Sequence, residues 1–312
     1  MSTLKGDPAL TARALAPISS RRRNRLTGSG TTPWLFLIIP LAFLIVLTYI
    51  PVGNMFWYSL TSWDGLDPDM EFVGLGNFVR IFTQPEIFQV FFVSLYYLAG
   101  AIAQLVLALY FATLLSFKTR FRNLFKGVIF FPYLINGVAI GLVFLYFFRP
   151  GGTLDALLAA VGIHDPGQWL GDPSLVNISL AGTSVWRYMG LNFVLFLGAI
   201  QSVPAEQYEA ADLDGANSWH KFRFIILPSI RRILGLSFIL AIAGALSAFE
   251  MPYIMTGGAN GSETFVIQTV NTAFKFSKVG LASAMAVVLL IIVLVITAVQ
   301  RRVFPDERGE ES

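Results

Sequence analysis

Pro204-Ala205-Glu206-Gln207-Tyr208-Glu209-Ala210-Ala211-Asp212-Leu213-Asp214-Gly215-Ala216, closing on Ile225-Ile226-Leu227-Pro228, is a polar, helix-prone stretch lodged between two apolar runs of membrane length. Pro204 suits a first helical turn, where its missing N–H costs nothing, and Glu206 then sits near the positive end of the helix dipole. Gly215 is expected to stop that helix, because glycine takes a left-handed conformation cheaply. The chain then turns into a second short helix through Phe222 and Ile225, which Leu227-Pro228 is expected to end. At 1.5 Å per residue the first helix is ~16 Å long. Ala210 and Ala211 leave a bare stripe on it that lets another protein's surface approach closely. The stretch reads as a docking element; Glu209-Ala210-Ala211 taken alone fits an amphipathic connector on the membrane surface equally well.

Composition places this element in a membrane protein. Of 312 residues 55% are hydrophobic and only 13% charged, and mean hydropathy is +0.66, which no ordinary soluble domain shows. There is no cysteine, hence neither a disulfide framework nor thiolate chemistry. The two histidines, His164 and His220, fall in expected loops and belong to no ligand-spaced cluster, so no metal site is expected.

Six stretches are long enough to cross a hydrocarbon core of ~30 Å, which needs ~20 mainly apolar residues. They run near Trp34 to Phe56, Phe88 to Leu115, Val128 to Phe148, Ile178 to Ile200, Ile233 to Tyr253 and Gly280 to Val299. Pro40 and Pro51 interrupt the first, and the fourth carries Arg187 and Asn192. The division expected is a tail over 1–32, a transmembrane domain over 33–300 with its loop at 201–230, and a second tail over 301–312. Orientation follows the basic residues, since Lys and Arg near span ends stay cytoplasmic. Six lie in the N-terminal tail (Lys5, Arg13, Arg21, Arg22, Arg23, Arg25), four after the second span (Lys118, Arg120, Arg122, Lys126), four after the fourth (Lys221, Arg223, Arg231, Arg232) and three in the C-terminal tail (Arg301, Arg302, Arg308). Both termini and the Glu209 loop are therefore expected in the cytoplasm. The basic residues follow the membrane loop by loop and net charge is only +3, so topology rather than nucleic acid accounts for a pI near 9.2. The polar leader exceeds 30 residues and no small-residue cleavage site follows, so the first span is expected to persist as an anchor.

Glu209-Ala210-Ala211, then Asp214-Gly215-Ala216, then Phe222, Ile225 and Leu227-Pro228, resemble the "EAA" loop of the permeases of binding-protein-dependent ABC importers. That many fixed positions at fixed spacing make the docking reading the better one. Further landmarks resemble the carbohydrate-uptake, maltose-type branch: Phe72-Val73-Gly74-Leu75-Gly76-Asn77-Phe78, Phe131-Pro132, Thr256-Gly257-Gly258, and the small-residue run Gly280-Leu281-Ala282-Ser283-Ala284-Met285-Ala286. At Asn260, close to where many relatives carry proline, the pattern is broken. The resemblance implies an all-α polytopic membrane protein with six transmembrane helices, the type I importer permease fold, and a cytoplasmic coupling helix seated in a cleft of an ATP-hydrolysing subunit. It further implies a second homologous permease subunit, two ATP-binding subunits and an extracytoplasmic solute-binding protein, in a bacterial or archaeal plasma membrane. The loops from Thr61 to Pro85 and from Pro150 to Leu175 offer surface to that binding protein. No Gly-x-x-x-x-Gly-Lys-Ser/Thr occurs, so this chain cannot hydrolyse ATP by P-loop chemistry, and ATP and Mg belong to the partners.

The solute path is expected among polar and aromatic residues that lipid disfavours. Arg187 stands out, because a charge at a span centre costs about 2.5 to 3.5 kcal/mol on insertion scales. It either contacts solute or is structural, satisfied by carbonyls or by Glu250. Counted back from the cytoplasmic ends of straight spans, Arg187 and Glu250 differ in depth by about seven residues, roughly 10 Å, which argues against a direct pair. Ser184, Trp186, Tyr188, Asn192, Ser247 and Tyr253 supply hydroxyl, amide and aromatic groups beside those charges, although Trp186 and Tyr253 serve equally as interface aromatics. Three other readings stay open. The chain as an ion-coupled secondary transporter would need more buried carboxylates than Glu250. The chain as an ABC permease for a non-sugar solute differs only in cargo. An intramembrane enzyme lacks its motifs, with no Gly-x-Ser-x-Gly and no His-Glu-x-x-His.

Overall fold

The computed structural model describes residues 32–116 and 121–303; these are mainly helical, joined by loops that carry one isolated bridge, Thr61 to Phe72. The N-terminal basic cluster, Lys118, Arg120 and Arg308, used above for orientation, lie outside the described residues.

The chain divides after Val52 into two units. Up to Val52 the described part is α1 (Thr32–Leu44), a π-helical turn (Ile45–Tyr49) and the start of α2 (Ile50–Ser59). Pro51 does not break this helix. Ile50 N–H donates to Ile45 O, five residues back, and the widened turn accommodates the proline that follows.

From Gly53 the second unit continues through the rest of α2, then α3 (Gly76–Thr83), α4 (Pro85–Phe88), a 3-10 turn, and α5 (Val93–Ser116). After the undescribed 117–120 come α6 (Arg122–Leu134), α7 (Gly137–Phe148), α8 (Thr153–Ala160) and α9 (Val176–Gln201). They are followed by α10 (Ala205–Leu213), α11 (Ser218–Lys221), α12 (Leu227–Leu246), α13 (Glu250–Thr256), α14 (Phe265–Val270) and α15 (Val279–Val303). Among the described residues, four stretches are long and apolar enough to cross a membrane: Phe36–Ser59, Pro85–Ser116, Ser218–Thr256 and Val279–Arg302. Counting the bent pairs α6 with α7 and α9 with α10 as one span each brings the number to six.

The core of the second unit is α5 laid along α9. Tyr97, Ala101, Gln104, Ala108, Ala112 and Leu115, spaced by three or four, form the buried face of α5. Small residues let the backbones close up: a Cβ built on Gly100 would sit 3.3 Å from Val185 Cγ2 and 3.5 Å from Ala181 Cβ. Gly190 does the same for α6, whose Ile129 and Phe130 backbone it touches. Gly137 and Gly141, one turn apart, bring α7 against α13. At one end, the start of α15 buries Leu281, Ala282, Ser283, Ala284 and Met285. Gly280 N–H donates to Trp63 O at 2.9 Å there. Asn77, from the Phe72 to Phe78 segment, is buried and donates from Nδ2 to Ser59 O (3.0 Å) and Thr61 O (2.7 Å), satisfying carbonyls at the end of α2.

Two expectations need correcting. The stretch from Val128 to Phe148 is not one helix: α6 and α7 meet at 98°. Pro132 lacks an N–H, Ile135 is extended, and Asn136 Oδ1 accepts from Val138 N at 2.9 Å, starting a new helix in a new direction. Nor does Leu227-Pro228 end a helix. α11 runs through a second π-helical turn (Phe222–Ile226) into α12, and Leu227 N–H reaches back five residues to Phe222 O just before Pro228, the same accommodation as at Pro51.

Candidate functional site

Between α5, α9 and α12, closed at one end by the start of α13, lies a cavity of about 400 Å³. α12 stops at Leu246, and the chain passes through Ser247, Ala248 and Phe249 before α13 starts at Glu250. Glu250, the first residue of α13, lines the cavity. Of the expected path residues, Ser184, Tyr188, Asn192, Ser247 and Glu250 line the cavity. Trp186, 41% exposed, packs instead on Phe144, with ring centroids 5.2 Å apart. Tyr253, 47% exposed, stacks on Phe249 at 4.8 Å; neither lines the cavity. Arg187 does not line the cavity.

Contrary to the depth argument, Arg187 and Glu250 form a direct ion pair, Nη1 to Oε2, at 2.5 Å. Counting residues along an unbroken helix fails because α12 ends at Leu246 and three non-helical residues precede Glu250. The Arg187 side chain is only 12% exposed, against 39% for Glu250. Its Nη1 also reaches Tyr188 Oη at 3.2 Å, and the guanidinium lies 5.0 Å from the Tyr188 ring centroid. Gly137, at the break between α6 and α7, makes room: a Cβ there would collide with the Glu250 carboxylate. The two helix breaks thus meet at one carboxylate.

Sequence reasoning missed Tyr97, Gln104 and Ser237, all buried and all on the cavity wall. The 97, 101, 104 spacing along the second span was the available signal, since it puts a phenol and an amide on one helical face. Tyr97 Oη has no hydrogen-bond partner among the described residues.

A second candidate surface is the α10 to α11 hairpin, which leaves α9 at 70°. Gly215 has φ +73°, and its N–H donates to Asp212 O while Ala216 N–H donates to Ala211 O, a Schellman ending. Asn217 Oδ1 then caps α11 by accepting from His220 N at 2.9 Å. Lys221 Nζ pairs with Asp212 across the turn. Glu209, Ala210, Asp214, Gly215 and Pro228 are exposed, whereas Ala211, Ala216, Phe222, Ile225 and Leu227 are half-buried. Phe222 and Tyr208 pack on the cluster around Phe193 and Phe196, bracing the hairpin from beneath; this burial raises the Tyr208 hydroxyl above its ordinary pKa. Leu213, Trp219 and Phe224, not singled out from sequence, are 91%, 61% and 67% exposed. Exposed large apolar groups beside bare alanines suit contact with another protein.

Residues 104–309 match the family described as binding-protein-dependent transport system inner membrane component. The chain is 34% identical over 285 residues to the probable ABC transporter permease protein YurN of Bacillus subtilis, covering 89% of this chain and 97% of that one. It is 31% identical over 271 residues to the multiple sugar-binding transport system permease protein MsmF of Streptococcus mutans, covering 86% and 93%. With the diacetylchitobiose uptake system permease protein NgcF of Streptomyces coelicolor it shares 32% over 295 residues, 89% and 83% of the two chains. Among solved structures, a chain of a bacterial alginate ABC transporter, crystallised in complex with an alginate pentasaccharide-bound periplasmic protein, superposes with a TM-score of 0.77 over 86% of this chain and 92% of that one. At 17% identity that likeness concerns the fold.

Proposed function

The chain belongs to the family of binding-protein-dependent transport system inner membrane components, and from that membership we propose that it forms half of the translocation path of an ATP-driven importer for a sugar, oligosaccharide or polyol derivative. It is a multi-pass membrane subunit and a transport component rather than a catalyst. One observation carries the solute class: the cavity wall combines hydroxyls and amides (Ser184, Asn192, Ser237, Ser247, Gln104) with the aromatic rings of Tyr97 and Tyr188. Such groups exchange hydrogen bonds with hydroxyl-rich solutes and cover the apolar faces of sugar rings. Relatives named for sugar uptake support the same class.

In this reading a second, similar permease subunit completes the path, and two ATP-binding subunits hold ATP and Mg. The α10 to α11 hairpin docks on one of these. An extracytoplasmic binding protein delivers solute to the loops 61–85 and 150–175. Membrane vesicles carrying the whole complex, ATP inside and binding protein outside, should accumulate labelled oligosaccharide. Omitting ATP or the binding protein should abolish accumulation. Uptake driven by an imposed ion gradient without ATP would instead favour a secondary transporter.

The orientation has its own test, helped by the absence of native cysteine. Cysteines placed at Ser62 and Gly167 should react with an impermeant maleimide applied to intact cells, and one at Ser218 only after lysis. Labelling at Ser218 in intact cells would overturn the topology and the docking role together.

A further inference from the structure

The solute class narrows further by charge, on the reading of the α5, α9 and α12 cavity as the translocation path. Glu250 is the only charged residue on the cavity wall among those described. Its Oε2 accepts from Arg187, while no donor meets Oε1 among the described residues. The carboxylate pairs with the guanidinium and lies against Gly137, where a Cβ would displace it. Arg187 is mostly buried, with its Nε unpartnered among the described residues, and it touches Tyr188 and Glu250, both of which line the cavity.

We propose that Glu250 is the charge-selecting residue of this path: it cancels Arg187 and keeps one carboxylate oxygen for solute, so that the cavity takes neutral, hydroxyl-rich solutes and turns away carboxylated or phosphorylated sugars. A neutral saccharide can donate an O–H to Oε1, forming a charge-assisted hydrogen bond. An anionic sugar meets that same oxygen as a like charge, and the guanidinium that would attract it is already engaged.

The cavity's field can be read without knowing the solute. In the assembled complex in membrane vesicles, Ser247→Cys puts the only thiol of this chain on the cavity wall. Its reaction is followed by the mass shift of this chain, with a sulfonate-bearing and a trimethylammonium-bearing methanethiosulfonate; neutral methyl methanethiosulfonate corrects for access. At an effective dielectric of about 20, one uncompensated charge within roughly 7 Å changes such a rate by tenfold or more. Adding Glu250→Gln should therefore raise the sulfonate to trimethylammonium rate ratio at least tenfold. Adding Arg187→Gln as well should bring it back within about threefold of the start. A ratio that moves less than threefold in assembled Glu250→Gln complex refutes the proposal. Should that variant not assemble, Arg187→Gln alone decides: with Glu250 left uncancelled the ratio should fall at least tenfold, and a change of less than threefold in the assembled complex refutes the proposal. Because this measurement needs no uptake, its failure and a failure of the transport assay are separate results.

Discussion

Gly190→Leu should leave little assembled permease in the membrane, with a fall of tenfold or more in the folded subunit recovered after mild detergent extraction. Gly190 is buried in α9 where α6 crosses it, and a Cβ there would press on the backbone of Ile129 and Phe130. A long side chain in the way can swing aside; a backbone carbonyl within a helix cannot. The helices must separate, and overpacking of this kind costs typically 1–3 kcal/mol even when side chains can adjust. Separation would also loosen the cluster of Phe193, Phe196 and Ile129 on which the α10 hairpin rests. The same substitution at Gly182, on the same helix with nothing within 4 Å of its Cβ, controls for helix propensity and added bulk. Equal recovery of the two variants would show that the α6 to α9 contact does not hold the subunit together.

The contrast between those two glycines also marks what could be read from sequence. The helical class, the apolar stretches and the turn at Gly215 were legible, because hydropathy and glycine's left-handed freedom act locally. Direction was not. A run of apolar residues looks the same straight or bent, so Val128 to Phe148 passed for one helix, although Pro132, Asn136 and Gly137 carry the signals for a break. Pro228 misled in the opposite sense, since nothing in the sequence announces the π-helical turn that lets the helix pass through it. The Arg187 to Glu250 pair was lost because the depth count took the fifth span as unbroken helix, whereas α12 ends at Leu246 and α13 starts only at Glu250. Facing was legible only in part: a ranking by polarity found Asn192 and Ser247 but also Trp186 and Tyr253, which turn away. Helical spacing along α5 was the better guide to Tyr97 and Gln104.

Gly215→Val should abolish uptake while the subunit itself still inserts and folds. Nothing lies within 4 Å of a Cβ built at Gly215, so no clash is involved, and the whole effect comes from φ +73°. A left-handed conformation costs an ordinary L-residue roughly 1–2 kcal/mol, and a β-branched one is disfavoured further. The turn escapes that strain by giving up the Schellman bonds from Gly215 and Ala216, and α11 then leaves α10 in a different direction. Asp212 and Lys221 would no longer meet, and Trp219 would shift relative to Leu213. A rigid docking surface tolerates such a shift poorly, because a factor of ten in affinity is only about 1.4 kcal/mol. The core of α5 and α9 lies away from the turn, so the amount of folded subunit should stay near normal while co-purification of the ATP-binding subunits and uptake fall tenfold or more. Asparagine visits the left-handed region more readily than other non-glycine residues, so Gly215→Asn should retain most of both. If valine leaves association and uptake unchanged, the geometry of this turn plays no part in coupling. If valine and asparagine fail alike, the turn needs a bare backbone against a partner, which would move the docking contact onto Gly215 itself.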